Sequence, residues 1–104
     1  MITLAVMILH HVLEGTGPTV LLLHSTATDA RQWQAQISEL RGDFTVVAPD
    51  LRGYGRSPSS RELFSHAGDL VRLMDRLGLD RSSMVGSSGG GAVALQVASQ
   101  SQRG

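Results

Sequence analysis

Ser88 is the residue of this sequence with the clearest chemical use. It stands in Val85-Gly86-Ser87-Ser88-Gly89-Gly90-Gly91-Ala92, where Gly86, Ser88 and Gly90 fill the pattern G-x-S-x-G. A short apolar run precedes the pattern and an Ala/Val/Leu segment follows it, so the stretch reads as strand, tight elbow, helix. Such an elbow needs glycine two residues to either side of the serine, because strand and helix leave the turn too close together for side chains. A serine held there projects its hydroxyl at the strand end, above a helix N-terminus whose free N–H groups can hold a developing oxyanion. A Gly/Ser-rich loop without chemistry would carry the same letters. The strand–turn–helix setting favours the nucleophile.

A serine hydroxyl is a poor nucleophile without an adjacent base oriented by a third group. After Ser88 the sequence offers neither, since only Arg103 is charged there. The histidines are His10, His11, His24 and His66. His10 and His11 are adjacent on an opening strand and point to opposite faces. His66 falls next to the apolar stripe of a helix and reads as a partly buried or surface residue. The four do not present metal-ligand spacing and there is no cysteine, so neither a metal nor another cofactor is expected.

Composition narrows the remaining classes. At 104 residues, 41% apolar and 17% charged, the chain is one domain or part of one, with a packed interior and no sign of disorder. Its formal net charge is zero, which gives no reason to expect nucleic acid or an anionic membrane as partner. All nine basic residues are arginine, and a Walker-type phosphate loop needs a lysine. Met1–Leu9 is apolar but lacks a basic leader and a small-residue cleavage site, and is too short to span a bilayer. The expectation is a strand of a soluble, cytoplasmic protein.

The elements that must position Ser88 follow in order. Thr3–Val6 and Met7–Leu13 are β-rich, as one bent strand or two short ones, and end in the turn cluster Glu14–Pro18. Val20–Leu23 is a continuous apolar run of the kind covered on both faces. Asp29 with Gln32 suggests a capping box, Ala30, Trp33, Ile37 and Leu40 share a helical face, and Gly42 sits where a helix ends. Phe44–Ala48 is the next buried strand, followed by the glycine-punctuated loop Asp50–Pro58. Ser59 and Glu62 fit a second capping box, before a stripe of Leu63, Ala67, Leu70, Val71, Met74 and Leu77 that stops at Gly78. The Ser82–Val85 strand, the elbow and a helix over Gly89–Ser99 complete the series. This alternation predicts an α/β fold, a mostly parallel sheet with helices on both faces, in a single unit over residues 1–104 with no linker. Ligands bind such sheets at the carboxyl ends of the strands, where His24–Thr28, Asp50–Pro58 and Gly86–Gly91 all lie.

Four features together resemble the amino-terminal part of an α/β-hydrolase of the alpha/beta hydrolase-1 type. They are the Gly17–His24 run, the Trp33-bearing first helix, the run Val46–Ser57 and the elbow Val85–Gly91. The resemblance implies Ser88 as nucleophile, with the backbone N–H groups of Gly89 and Thr26 as oxyanion hole. It makes His24 a structural hydrogen-bonding residue of the oxyanion loop, and Asp50 an anchor for Arg52 or for turn amides. Two positions depart from the family pattern. Ser25 replaces a usual glycine, which strains the loop if that position needs positive φ. Ser87 replaces a usual histidine, a change expected to be nearly neutral.

Three function classes emerge. The first is a serine hydrolase for esters or related small acyl substrates, with C–C-bond hydrolases and perhydrolases sharing the same serine. Dehalogenase and epoxide-opening relatives are disfavoured, because they place an aspartate where Ser88 stands. The second is a non-catalytic remnant or binding module, since the acid and histidine that the family delivers after the elbow do not occur by Gly104. The third is a dinucleotide-binding domain through Gly89, Gly91 and Ala94 in G-x-G-x-x-A. That motif belongs at a first βα turn with an acidic residue about 20 positions later, and none follows Asp80. The elbow strand is also expected to be an unpaired sheet edge, with Val93 and Val97 uncovered, favouring self-association and an inactive isolated chain.

Overall fold

The computed structural model describes residues 8–59 and 63–101. One sheet is built from β1 (His11–Glu14), β2 (Thr19–Leu23), β3 (Thr45–Pro49) and β4 (Ser83–Gly86), in the order β1-β3-β2-β4. β2 runs parallel to both β3 and β4, and β1 is antiparallel on the far edge of β3. The register sets Leu23 opposite Gly86, so the end of β2 lies beside the elbow. A 3-10 turn over Ala30–Trp33 leads into α1 (Gln34–Leu40), and α2 (His66–Leu77) and α3 (Gly89–Ser101) complete the elements.

Side chains alternate across a strand, so each apolar run feeds two cores. Val20, Leu22, Val46 and Ala48 pack with Ala30, Trp33 and Ile37 on one face. Leu21, Leu23 and Val47 pack with Ala67, Leu70, Leu73, Val93 and Val97 on the other. Each fully buried leucine contributes roughly 2 kcal/mol by leaving water. This is the expected mostly parallel sheet with helices on both faces.

Several local expectations give way. The Asp29 carboxylate accepts the Arg31 backbone N–H, the Asp29 carbonyl accepts the Gln32 N–H, and the Gln32 carboxamide turns away to Ser25 N–H and the Thr28 hydroxyl. The predicted capping box is therefore half made, because a loop amide competes for Gln32. α1 ends at Arg41 in right-handed conformation, so Gly42 is not its left-handed cap. Gly78 does cap α2, at φ 71°. That helix starts later than the Ser59 signal implied. Ser65, extended at φ −128°, ψ 136°, takes the Gly68 N–H on its hydroxyl and is the N-cap. Glu62 lies outside the described residues, Leu63 is fully exposed before the helix, and Leu73 joins the buried stripe. Thr3–Val6 also lies outside the described residues.

Val93 and Val97, expected to be uncovered, are buried against the β2–α2 core, because α3 packs on α2. Leu95 is the apolar residue of α3 left 74% exposed. The outer edge of β4 pairs with no strand among the described residues, as expected. No helix among the described residues is long and apolar enough to cross a membrane.

Asp69, buried on α2, ties the Asp50–Pro58 loop to the sheet's second layer. Its carboxylate accepts from Arg52 Nε at 2.9 Å and Nη2 at 2.6 Å, and from Arg72 Nη2 at 2.5 Å. Arg52 also lies 4.5 Å over the Phe64 ring. Arg72 is half exposed, so its share is small. The buried Arg52 pair dominates. Asp69→Asn is expected to cost roughly 3 kcal/mol in urea unfolding, near the low end for breaking a buried ion pair. A loss under 1 kcal/mol would show that the pair holds nothing in place.

Candidate active site

β4 ends at Gly86 and α3 starts at Gly89, leaving two residues for the reversal. Ser88 takes up the strain, at φ 55°, a conformation that costs a non-glycine residue about 1–3 kcal/mol. The turn is fixed by its own amides: Gly90 N–H donates to Ser87 C=O, Gly91 N–H to Ser88 C=O and Ser87 N–H to Leu23 C=O. Gly89 N–H meets no backbone acceptor among the described residues and stands at the N-terminus of α3. Ser88 is exposed, and its hydroxyl has no hydrogen-bond partner among the described residues.

The glycines are where the elbow requires them. A Cβ on Gly86 would come within 2.5 Å of the Gly90 carbonyl group and the Gly91 nitrogen. A Cβ on Gly90 would overlap the Leu23 carbonyl oxygen and lie 2.6 Å from that of His24. Both obstacles are backbone and cannot rotate away.

The His24–Thr28 loop folds around the carbonyl of Ser25. That oxygen accepts from Thr28 N–H at 3.1 Å, the Thr28 hydroxyl at 2.8 Å and His24 Nδ1 at 2.8 Å. His24 Nε2 accepts the Leu51 N–H at 2.9 Å, which places the ring proton on Nδ1. Both nitrogens are thus occupied, and the fully buried imidazole is structural. Its ring also meets Tyr54 edge to face. The positive φ of the loop falls on Ala27, at 68°, and not on Ser25. Ser25 is therefore unstrained, and its hydroxyl donates to that of Ser87 at 2.7 Å. Ser25 and Ser87, the two departures from the resembled pattern, are bonded to each other and pin the His24–Thr28 loop to the elbow. Two hydroxyl replacements at neighbouring loops are the sequence signal for this pair.

Thr26 is brought beside the elbow. A Cβ on Gly89 would overlap the Thr26 hydroxyl and lie 3.5 Å from the Thr26 nitrogen. The proposed oxyanion residues Gly89 and Thr26 are thus neighbours, and with His24, Leu51, Tyr54, His66 and Val93 they line a cavity of about 60 Å³.

Asp50 closes the end of β3 as an anchor. One carboxylate oxygen accepts Ala30 N–H at 2.8 Å; the other accepts Arg56 N–H at 2.9 Å and meets His10 Nδ1 at 3.0 Å. Arg52, offered as an alternative partner, goes to Asp69 instead. His10 was not expected here: β1 runs antiparallel, so its start reaches the carboxyl ends of the other strands. His11 turns its ring to the Leu9 carbonyl. A larger cavity of about 660 Å³ lies between β1 and α1, lined by His10, Asp50 and Arg56 among others, and does not include Ser88. No group of three His, Asp or Glu among the described residues could hold a metal.

His66, the first residue of α2, is partly buried as expected and also lines the 60 Å³ cavity, with Nδ1 buried and without a partner among the described residues. Burial pushes its imidazole below the ordinary value of 6.5; Asp69 opposes this, and His24 and Arg52 assist it. The unfolded chain therefore takes up this proton first, and stability falls as pH drops below about 6.5. Urea midpoints between pH 7 and pH 5 should decline less steeply in His66→Gln than in the parent. Equal slopes would rule out this contribution.

Comparison with known proteins gives a consistent set. The sequence model described as alpha/beta hydrolase fold matches residues 18–103. Haloalkane dehalogenase 2 of Mycobacterium tuberculosis is 39% identical over 94 residues, 86% of this chain and 33% of that protein. The soluble epoxide hydrolase of a Corynebacterium species is 37% identical over 93 residues, 86% of this chain and 32% of that one. Among solved structures, a marine microorganism esterase superimposes with a TM-score of 0.85 at 26% identity, over 91% of this chain and 38% of its own. The chain spans about a quarter to a third of the length of the curated relatives it matches, 26% to 33% for those first in similarity.

Proposed function

Because the chain belongs to the alpha/beta hydrolase family, we propose that it is the nucleophile-bearing part of a serine hydrolase acting on an ester or related small acyl substrate. The observation that carries this reading is Ser88 itself, exposed and strained at φ 55° beside the unpaired N–H of Gly89. Its hydroxyl would attack the acyl carbon while the Gly89 and Thr26 N–H groups receive the charge that moves onto the carbonyl oxygen.

The dehalogenase and epoxide hydrolase relatives do not carry over their reactions. A serine oxygen that displaced halide or opened an epoxide would form an ether, which has no carbonyl for water to attack. The enzyme would stop after one event. Attack on an ester leaves an acyl-serine that water can clear. C–C-bond and perhydrolysis reactions share that acyl-serine and stay within the same class.

A second reading draws on one observation. Among the described residues no base hydrogen-bonds the Ser88 hydroxyl, and His24 is fully engaged. A module that binds an acyl ligand without turning it over would look the same. Treatment with an alkyl fluorophosphonate and with a chloroalkane separates the chemistries. The expected result is one phosphonyl group on the peptide containing Ser88 and no alkylation. Alkylation of that peptide, or no phosphonylation, would overturn the acyl reading. Ester turnover beyond one equivalent would set aside the binding module.

A further inference from the structure

We propose that the Thr26 side-chain hydroxyl is a third donor to the oxyanion, beside the backbone N–H groups of Thr26 and Gly89. This rests on Ser88 as nucleophile and goes beyond it by giving a side chain of the loop a direct part in stabilising charge.

The inference starts from the residue after the nucleophile. Gly89 has no side chain, and the place where its Cβ would stand is taken by the Thr26 hydroxyl oxygen. The same point is 3.4 Å from Thr26 Cβ and 3.5 Å from Thr26 N. The Thr26 hydroxyl and the backbone amides of Thr26 and Gly89 therefore lie together on one flank of the elbow, and both residues line the 60 Å³ cavity. Any larger residue at 89 would push that hydroxyl away.

The hydroxyl is also available. Of the three hydroxyl side chains in the loop, Ser25 is spent on Ser87, and the single hydroxyl proton of Thr28 is shared between the Ser25 carbonyl and Gln32 Oε1. Thr26 has no hydrogen-bond partner among the described residues. Its position is held by others. The Ser25–Ser87 bond fixes the loop to the elbow at 2.7 Å, and the Gln32 carboxamide holds Ser25 N–H at 2.8 Å. A rigidly placed, uncommitted O–H beside a site of growing negative charge makes a short, charge-assisted bond. It needs little reorganisation as the charge appears.

The step is ordinary addition. The Ser88 Oγ–carbon bond forms, the carbonyl π pair moves onto oxygen, and the serine proton leaves to a base. With an aryl phosphonate ester as probe, the Oγ–phosphorus bond forms, the aryl oxide departs, and at alkaline pH hydroxide takes the proton. No catalytic base is then needed, so the chain itself can be tested.

Intact-mass kinetics with a 4-nitrophenyl alkylphosphonate would compare the parent with Thr26→Val, Thr26→Ser and Ser88→Ala. Thr26→Val keeps the shape and removes the hydroxyl; it should phosphonylate at least about tenfold more slowly, below the hundredfold or more seen for loss of a principal oxyanion donor. Thr26→Ser restores the hydroxyl and should recover most of the rate, with all three Thr26 forms melting alike. If Thr26→Val matches the parent while Ser88→Ala takes no label, the third donor is wrong and the nucleophile stands. If Thr26→Ser is as slow as Thr26→Val, the methyl group and not the hydroxyl matters, which also overturns the proposal. A parent that takes no label, or an equally labelled Ser88→Ala, removes the serine reading and this inference with it.

Discussion

Ser88→Ala is expected to abolish covalent capture of a fluorophosphonate while leaving the fold intact. The two halves of this expectation have separate physical grounds. Capture requires an oxygen at the elbow, and alanine supplies none. The fold should not notice, because the Ser88 hydroxyl makes no hydrogen bond among the described residues and is exposed. Alanine at φ 55° is about as strained as serine there, so the stored energy is unchanged. Ser88→Gly sharpens the test. It removes the same oxygen but also releases the backbone, and should raise stability by about 1 kcal/mol. Intact mass after labelling, with melting temperatures of all three proteins, reads both effects. Phosphonyl label persisting in Ser88→Ala would sink the assignment. A Ser88→Gly protein less stable than Ser88→Ala would show that the elbow is not where the strain resides.

The parts of this molecule legible in its sequence are those written in short-range patterns. Val20–Leu23 and Val46–Ala48 carry no alternation, and only burial on both faces explains such runs, which the two cores confirm. The elbow was legible because its glycines answer local steric demands, seen here as backbone atoms within reach of any Cβ on Gly86 or Gly90. What stayed hidden depends on partners distant in sequence. Ser25 and Ser87 are 62 positions apart, and their bond exists because β2 lies next to β4. His10 reaches Asp50, 40 positions away, because β1 is antiparallel to β3. Helix starts are ambiguous in sequence where two polar residues compete for one role. Ser65 caps α2 in place of Ser59, and Gln32 bonds Ser25 of the His24–Thr28 loop in place of a capping box. Val93 and Val97 are hidden for a third reason. A stripe of small residues does not say which neighbour it meets, and here α2 covers it.

Gly90→Val is expected to be the most destabilising single change at the site. The α3 backbone passes so near β2 at this point that a Cβ would overlap the Leu23 carbonyl oxygen and stand 2.6 Å from that of His24. Neither oxygen can move alone. Leu23 C=O accepts Ser87 N–H, and His24 is held through its ring to Ser25 and Leu51. Relief must come from moving α3 off the sheet, which opens the Val93–Val97 contact with the core. Overpacking of this kind costs about 1–3 kcal/mol per clash, and two clashes with a displaced helix bring the loss to roughly 4 kcal/mol. Native stability is only about 5–15 kcal/mol, so a large share of the margin goes. Each kilocalorie moves the midpoint of a chain this size by about 4–8 °C, giving a drop well above 10 °C. Gly91→Ala is the matched control. Its Cβ would meet nothing nearer than the Gly86 carbonyl oxygen at 3.6 Å, an ordinary contact, and alanine suits a helix better by up to about 1 kcal/mol. Thermal unfolding of both proteins decides the matter: a Gly90→Val protein that melts within a degree or two of the parent, or below which Gly91→Ala falls, would mean that strand and helix do not approach as described and that Ser88 is not on an elbow.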